Sequence, residues 1–246
     1  MEKRLDIRLV EIGKAESREK AQLAIKKALV KVNGQVVTKP AFGVKFQDEV
    51  ELTAPPLPYV SQGGWKLEKA IREFQLNFEG ARVLDIGAST GGFSDCALTH
   101  GASKVYAVDV GKDQLHPRLR THPRIQVLEN LDIRNLTLAL LDDQPVDWAV
   151  ADVSFISLTY ILPVIPAFLR PGSQLVLLIK PQFELGQKIS ARRGIVKDET
   201  LRQKALHRVR QAANYHGFIE KGITPTEVED PRKKNQEFLY WLVFPG

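Results

Sequence analysis

The sequence predicts an α/β protein with a doubly wound, mostly parallel sheet, preceded by a small α+β domain. Three observations support this: short apolar strands alternate with helical segments after residue 61, a glycine-rich turn follows one strand, and a proline-rich stretch divides the chain. A length of 246 residues gives room for two domains. We expect a first domain at 1–53, a linker at 54–60 and a larger domain at 61–246.

Bulk composition excludes several classes of protein. Apolar residues make up 43% and charged residues 26% of the chain, as in ordinary globular proteins. No apolar run approaches the roughly 20 residues of a membrane helix, and the first residues lack an apolar signal segment. The single cysteine allows no internal disulfide, and the five histidines show no metal-ligand spacing. These features predict a cytoplasmic protein without metal or membrane partner.

The first 53 residues predict two helices followed by a small sheet. Apolar residues at helical spacing mark a short helix at 5–12, and Ser17 is a good N-cap for a second helix. The segment Val32-Asn-Gly-Gln-Val36 has the Asn-Gly pair that favours a β-hairpin. Alternating apolar residues at 44–52 predict one further strand.

This first unit also carries the positive charge of the chain. Between Lys14 and Lys45 there are eight Lys or Arg residues and two Glu residues, an excess equal to the net charge of +6. Together with Arg4-Leu-Asp and Ser17-Arg-Glu-Lys-Ala, the unit resembles an S4-type RNA-binding domain. The resemblance implies RNA as partner. The expected contacts are Arg4, Arg18, Lys20, Lys26 and Lys27.

The larger unit alternates apolar strands with helices, which is typical of a parallel sheet covered on both faces. A helix is expected at 66–74. The strands are expected at Val83–Ile86, Val105–Val108, Ile125–Leu128, Trp148–Ala151, Leu175–Ile179, 218–223 and 238–244. The last two are compatible with a terminal strand pair in which one member is antiparallel.

The segment Val83-Leu-Asp-Ile-Gly-Ala-Ser-Thr-Gly-Gly-Phe93 is a strand, a tight turn and a helix start. Such a turn points backbone N–H groups at a ligand and lets the ligand approach the chain closely. The glycine spacing matches neither the phosphate loop of nucleotide triphosphatases nor a strict dinucleotide fingerprint. It most resembles the first motif of S-adenosylmethionine-dependent methyltransferases, which implies a Rossmann-like class I methyltransferase fold. The residues expected at the cofactor are Asp85, Gly87, Ala88, Ser89, Thr90, Gly91, Gly92, Phe93, Asp109, Val110 and Asp132.

Two of these carboxylates have predicted contacts. Asp109 ends the second strand 24 residues after Asp85, where both ribose hydroxyls would be in reach. Asp132 follows the third strand and either accepts a hydrogen bond from the adenine amine or serves as a turn residue. Asp85 is expected to orient the turn or its ligand through water. A nicotinamide dehydrogenase shares much of this pattern, but its glycine spacing differs.

The chemical group that would accept the methyl group is indicated by residues at the ends of later strands. Amine methyltransferases commonly have Asn- or Asp-Pro-Pro-aromatic after the fourth strand, whereas this chain has Asp152-Val-Ser-Phe155. Carbon methylation of pyrimidines needs a cysteine nucleophile, and Cys96 lies on a helix where a core position is the better interpretation. Four residues at converging positions remain, and they resemble the tetrad of FtsJ-type ribose 2'-O-methyltransferases. They are Lys66, Asp152, Lys180 and Glu237.

The resemblance suggests a role for each member of the tetrad. Lys180 is expected to be the base that takes the proton of the ribose hydroxyl. Lys66 would stabilise the developing oxyanion and lower the pKa of Lys180, while Asp152 and Glu237 orient the lysines and the hydroxyl. A basic, glycine-bounded loop at 186–197 is expected to act as a substrate clamp or lid, although a mobile surface loop is the alternative. Its cations are Lys188, Arg192, Arg193 and Lys197.

The order of motifs along the whole chain resembles the TlyA family, whose members carry a haemolysin label. Besides the segments above, Ser61-Gln-Gly-Gly-Trp-Lys-Leu67, Val108-Asp-Val-Gly111, Asp152-Val-Ser-Phe-Ile-Ser157 and Lys180-Pro-Gln-Phe-Glu184 carry the likeness. It implies methylation of cytidine 2'-hydroxyls in ribosomal RNA with S-adenosylmethionine. Gln62 departs from the arginine expected there. A ribosome-binding assembly factor with a vestigial cofactor pocket and a membrane-lytic protein are the alternatives.

Overall fold

The computed structural model describes residues 2–53, 59–186, 195–227 and 235–246. The chain separates into two compact units, Met1–Pro58 and Tyr59–Gly246. Residues 54–58 of the predicted linker lie outside the described part of the chain. Tyr59 and Val60 are buried in the core of the second unit, which therefore begins two residues before the predicted start at 61.

The first unit consists of two helices and two small antiparallel sheets. Its helices are α1 (Leu5–Glu11) and α2 (Arg18–Lys26). One sheet pairs β1 (Lys3–Arg4) with β4 (Gly43–Val44), and the other has the order β3 (Gln35–Val36), β2 (Val30–Val32), β5 (Val50–Leu52). Ser17 caps α2 as predicted, because its hydroxyl accepts a hydrogen bond from the Lys20 backbone N–H.

The single strand expected at 44–52 is wrong. Val44 and Val50 belong to different sheets, separated by a turn in which the Asp48 carboxylate accepts hydrogen bonds from the Lys45 backbone N–H and the Asn33 side chain. The alternating pattern nevertheless has a physical basis, because Val44 and Val50 both point into the same core.

The second unit is a seven-stranded sheet in the order β11-β12-β10-β9-β6-β7-β8. Its strands are β6 (Arg82–Ile86), β7 (Lys104–Val108), β8 (Ile125–Leu128), β9 (Val146–Ala151), β10 (Leu169–Ile179), β11 (Ile219–Pro225) and β12 (Phe238–Val243). Strands β6 to β10 are mutually parallel, and β12 runs antiparallel to both β10 and β11. The predicted doubly wound, mostly parallel sheet is therefore confirmed.

Helices and short 3₁₀ segments cover both faces of this sheet. In the described part of this unit the helices are α3 (Gly63–Phe74), α4 (Gly92–Thr99), α5 (Pro117–Arg120), α6 (Pro181–Glu184) and α7 (Glu199–Tyr215). Two buried apolar clusters lie on opposite faces, because alternate residues of the same strands contribute to each: Val83 and Val105 to one, Leu84 and Tyr106 to the other. No helix within the described ranges is long and apolar enough to cross a membrane.

Candidate active site

Four predicted residues meet where parallel strands β9 and β10 end and antiparallel β12 begins. Asp152 follows β9, Lys180 follows β10, and Glu237 precedes β12. Because Ile179 of β10 pairs with Phe238 of β12, the adjoining Lys180 and Glu237 lie at the same edge of the sheet. The fourth residue, Lys66, reaches this edge from α3.

Asp152 lies between the two lysine ammonium groups. Its Oδ1 is 2.6 Å from Lys180 Nζ, and its Oδ2 is 3.4 Å from Lys66 Nζ. Lys66 Nζ also lies 2.8 Å from Glu237 Oε2, whereas Lys180 donates a hydrogen bond of 2.8 Å to the Ser154 hydroxyl. The four side chains thus form one connected network of opposite charges.

The charges around Lys66 favour its protonated form. Burial lowers the pKa of this lysine, but the carboxylates of Asp152 and Glu237 outweigh burial, so the pKa lies above its usual value. Lys66 is therefore held as an ammonium ion. Lys180 is the more deeply enclosed of the two lysines, with 7% of its surface exposed.

The segment after Asp152 has an unusual backbone. Phe155 has a φ of 65°, a left-handed conformation that is strained for a bulky side chain, and the residue is 91% exposed. The ring centroid lies 5.2 Å from that of Phe183. Strain of this kind is concentrated at functional sites, and here it presents an aromatic face beside the tetrad.

A cavity of about 390 Å³ opens next to the tetrad. It lies across the carboxyl ends of β6, β7 and β9, where ligands bind in open α/β sheets. Its volume falls within the range of small-molecule sites, roughly 300–1,000 Å³. Five of the residues predicted at a cofactor line it, together with Asp152 of the tetrad. The five are Gly87, Ser89, Asp109, Val110 and Asp132.

The turn after β6 approaches the Asp152 segment closely. A Cβ atom at Gly87 would lie 2.9 Å from Val153 Cγ1, and the residue has a φ of 77°, so glycine is required on both counts. The turn is fixed to β7 because the backbone N–H groups of Gly87 and Ala88 donate to the Val108 carbonyl.

Asp109 is held by the same turn. Its Oδ2 accepts a hydrogen bond from the Ser89 backbone N–H and its Oδ1 accepts one from the Gly111 backbone N–H, each 2.7 Å long. A carboxylate has about four lone-pair sites, so capacity remains for two hydroxyl donors from a ligand. The position of Asp109 on the cavity wall is compatible with the predicted ribose contact.

Asp85 is fully buried behind the cavity and carries an incompletely satisfied carboxyl group. Its Oδ2 accepts a 2.6 Å hydrogen bond from the Ser94 hydroxyl, while Oδ1 has no hydrogen-bond partner among the described residues. Burial raises the pKa of Asp85 to about 7, against the opposing effect of Ser94. The group therefore changes charge near neutral pH.

Asp85 should make the stability of the protein depend on pH. The folded state holds the Asp85 proton more tightly than the unfolded chain, so the free energy of unfolding should fall as pH rises from about 4 to about 7. In urea denaturation across this pH range, the free energy of unfolding of Asp85→Asn should fall less than that of the wild type. The difference should be a few kcal/mol, because one pKa unit corresponds to about 1.4 kcal/mol. The exposed Asp113→Asn is the control and should follow the wild type; identical curves for all three proteins would contradict the assignment.

Most of the other residues predicted at the cofactor have a role in the fold itself. Phe93 and Ala88 are buried in the apolar core, and Thr90 is exposed without lining the cavity. Gly91 has a φ of 94° and initiates α4 together with Gly92. Asp132 lines the cavity, but its carboxylate also caps a 3₁₀ helix and pairs with Arg134, so the turn role left open by the sequence is present.

Two of the cations predicted to bind RNA share a buried carboxylate in the first unit. Asp6 is fully buried and accepts hydrogen bonds from the side chains of Arg4, Arg18 and Gln22. These groups hold the pKa of Asp6 well below its usual range. The side chains of Arg4 and Arg18 remain 44% and 55% exposed, so their charges face solvent from fixed positions.

The other predicted cations differ in their surroundings. Lys20 pairs with Glu16, and Lys26 and Lys27 are exposed on or just after α2. Lys188, Arg192 and Arg193 of the predicted clamp lie outside the described residues.

Cys96 is a core residue, as predicted. Its thiol lies near the Glu68 carboxylate, which accepts hydrogen bonds from Tyr59 and His100, and the Glu68, Cys96 and His100 ligand atoms fall within 4.8 Å of one another. Burial raises the pKa of the Cys96 thiol. These contacts connect α3 with α4, so helix packing explains why the three side chains lie together.

Sequence reasoning missed two side chains that contact the site or its loops. Ser154 accepts the Lys180 hydrogen bond, and Glu184 holds the segment after Asp152. Both lie inside motifs that the family resemblance had singled out. Their roles depend on contacts between loops about 26 residues apart, which no local pattern encodes.

Comparison with known proteins agrees with this architecture. Residues 59–244 match the family described as FtsJ-like methyltransferase, and residues 3–50 match the S4 domain. The chain is therefore an FtsJ-like methyltransferase domain preceded by an S4 domain.

Relatives define the family more narrowly. A Bacillus subtilis protein described as a candidate rRNA methyltransferase is 44% identical over 99% of this chain and 86% of its own. The 16S/23S rRNA (cytidine-2'-O)-methyltransferase TlyA of Mycobacterium tuberculosis is 38% identical over 97% of this chain and 89% of its own. The chain belongs to the TlyA family. A solved structure described as a candidate hemolysin from Streptococcus thermophilus is 38% identical, with a TM-score of 0.74 and coverage of 99% and 88%.

Proposed function

We propose that the protein is an S-adenosylmethionine-dependent methyltransferase that modifies the ribose 2'-hydroxyl of cytidine in ribosomal RNA. The observation that carries the proposal is the placement of Asp152 between the ammonium groups of Lys66 and Lys180, beside a ligand-sized cavity. The M. tuberculosis relative is named for this activity. Its name is the source of the proposed nucleotide, cytidine, and of the proposed substrate, ribosomal RNA. A ribosomal substrate agrees with the predicted cytoplasmic location.

The cavity residues fit the proposed methyl donor. Asp109 offers carboxylate acceptors at the tip of β7 for ribose hydroxyls, and the buried Asp85 has an unsatisfied oxygen behind the turn. The apolar wall includes Ile133 and Ile156, which suit an adenine ring. When bound, S-adenosylmethionine supplies a methyl group already activated by its sulfonium. Asp132 is proposed as the contact of the adenine amine.

The chain must make a weakly acidic hydroxyl nucleophilic. We assign the neutral amine form of Lys180 as the base that takes the proton from the hydroxyl, which makes the oxygen nucleophilic. Lys66, held as a cation by Asp152 and Glu237, stabilises the negative charge that develops on the oxygen. Asp152 aligns the side chains of both lysines, and Glu237 orients Lys66. Phe155 offers an exposed aromatic face for the base of the target nucleotide.

The S4 domain is proposed to bind the RNA backbone. Arg4 and Arg18 are fixed by the buried Asp6, so little side-chain freedom is lost when they meet phosphates. Lys20, Lys26 and Lys27 would add sequence-independent attraction, and Lys188, Arg192 and Arg193 are proposed as the clamp near the acceptor.

Removing Arg18 should weaken RNA binding in a salt-dependent manner. Arg18→Ala should make the negative slope of log affinity against log salt concentration shallower by about 1, because one phosphate contact is lost. Filter binding to 23S ribosomal RNA at several salt concentrations measures this slope. Lys3→Ala, whose ammonium pairs with Glu11, should leave it unchanged; equal slopes for Arg18→Ala and wild type would contradict the contact.

The whole proposal is tested by binding and by transfer. Calorimetry should detect S-adenosylmethionine binding, and labelled methyl groups should appear in ribosomal RNA from cells that lack the gene. Intact RNA binding without cofactor binding would instead support an assembly factor with a vestigial pocket. Label in a base rather than in ribose would contradict the assigned acceptor.

A further inference from the structure

Glu184 is a buried carboxylate near the tetrad to which the proposed reaction assigns no role. It ends α6, the short helix that directly follows Lys180, and is 1% exposed. Its Oε2 accepts a hydrogen bond from the Ser157 hydroxyl, and its Oε1 accepts one of 3.0 Å from the Leu158 backbone N–H. The carboxylate thus joins the loop after β10 to the loop after β9.

The loop after β9 requires such an anchor. It contains Phe155, whose left-handed backbone is unfavourable for its side chain and persists only if the surroundings fix both ends of the segment. At one end the Asp152 backbone N–H donates to the Ile86 carbonyl at 3.2 Å. At the other end the contacts of Ser157 and Leu158 with Glu184 serve this purpose.

Glu184 is itself fixed by a third element. Arg208 of α7 donates a 2.8 Å hydrogen bond to the Glu184 carbonyl oxygen, which holds the end of α6 in place. Burial raises the pKa of the Glu184 carboxyl, while the donors from Ser157 and Leu158 oppose this effect. An apolar side chain would avoid the desolvation cost but could not accept these two hydrogen bonds.

We propose that Glu184 is a positioning residue that sets the Lys180–Asp152 contact and holds Phe155 at the rim of the cavity. This inference rests on the proposed function, since its consequence for catalysis requires the tetrad to carry the reaction. Lys180 and Asp152 lie on separate loops, and Glu184 ties those loops together within a few residues of both. Loss of the tie should misplace the reacting groups without removing any of them.

The test compares variants of the full chain for kcat on unmodified ribosomal RNA. Glu184→Ala should lower kcat at least 30-fold. Glu184→Gln should stay within about threefold of the wild type, because the amide can accept from Leu158 and donate to the Ser157 oxygen. Ser157→Ala removes one of the two hydrogen bonds and should lower kcat about fivefold.

The matched control is Asp147→Ala, at the opposite end of β9. Asp147 also anchors a backbone N–H, that of Arg82, and pairs with Arg170. This variant should lose thermal stability but keep its kcat. Hydrogen exchange of the segment 152–158 should accelerate in Glu184→Ala and stay unchanged in Asp147→Ala.

The outcomes separate this inference from the proposed function. A wild-type protein that transfers no methyl group overturns the proposed function, and the hydrogen exchange then decides whether Glu184 holds the segment. An active wild type with a fully active Glu184→Ala variant overturns the inference, as does an equal loss of kcat in Asp147→Ala. If Glu184→Ala does not fold, a Ser157→Ala variant with wild-type kcat and wild-type exchange overturns it.

Discussion

Replacing Lys180 with arginine is expected to lower kcat about 10³-fold while keeping the positive charge beside Asp152. Arginine does not give up its proton in proteins, so it cannot act as the base. Loss of a general base typically costs 10²–10⁴ in rate, and here the acceptor is a weakly acidic hydroxyl. Single-turnover transfer of labelled methyl groups to unmodified ribosomal RNA measures the effect.

Two controls make the Lys180 result specific. Lys69→Arg on α3, where the lysine pairs with Glu73, makes the same chemical change away from the tetrad and should leave kcat unchanged. Calorimetry should show that Lys180→Arg still binds S-adenosylmethionine within a few-fold of the wild type. If Lys180→Arg transfers methyl groups at the wild-type rate, Lys180 is not the base.

Replacing Asp152 with asparagine should have the second-largest effect, a loss of about 100-fold in kcat. Asparagine keeps the shape of the side chain but removes the negative charge that lies 2.6 Å from Lys180 Nζ and 3.4 Å from Lys66 Nζ. Without this charge the two lysine side chains are no longer held at these distances, and the geometry needed at the hydroxyl is lost. Single-turnover rates at saturating RNA measure the change.

Glu237→Gln is the comparison for Asp152→Asn. Glu237 pairs with Lys66 at 2.8 Å, whereas Lys180 contacts Asp152, Ser154 and the ring of Phe183. We therefore expect a smaller loss, about tenfold. If Glu237→Gln were the more damaging substitution, Asp152 would not be the residue that organises the tetrad.

The main sheet was predictable because its signals are local. Strands such as β7 and β9 are short apolar runs, and alternating helices leave few arrangements other than a parallel sheet. The extent of β10 was not predictable: the apolar run begins at Leu175, but pairing of Leu169 with Val146 of β9 starts the strand at Leu169. In the first unit, the pattern at 44–52 correctly marked core residues but could not show that a turn separates two sheets.

Part of the candidate site could likewise be predicted from the sequence, and part could not. Asp152, Lys180 and Glu237 could be proposed together because topology brings their strand ends to one edge, and the family resemblance added Lys66 on α3. The structure joins all four in one network. The left-handed backbone of Phe155 could not be read from the sequence, since it depends on anchors far along the chain. Likewise, the sequence does not show that Arg4 and Arg18 share one buried carboxylate.

Nucleoside mass spectrometry of ribosomal RNA tests the central claim most directly. RNA from cells with and without the gene should be digested to nucleosides and analysed for 2'-O-methylcytidine. We expect this nucleoside to decrease on loss of the gene and to return with the wild-type chain but not with Lys180→Arg. Unchanged 2'-O-methylcytidine, or restoration by Lys180→Arg, would contradict the proposed acceptor or the proposed base.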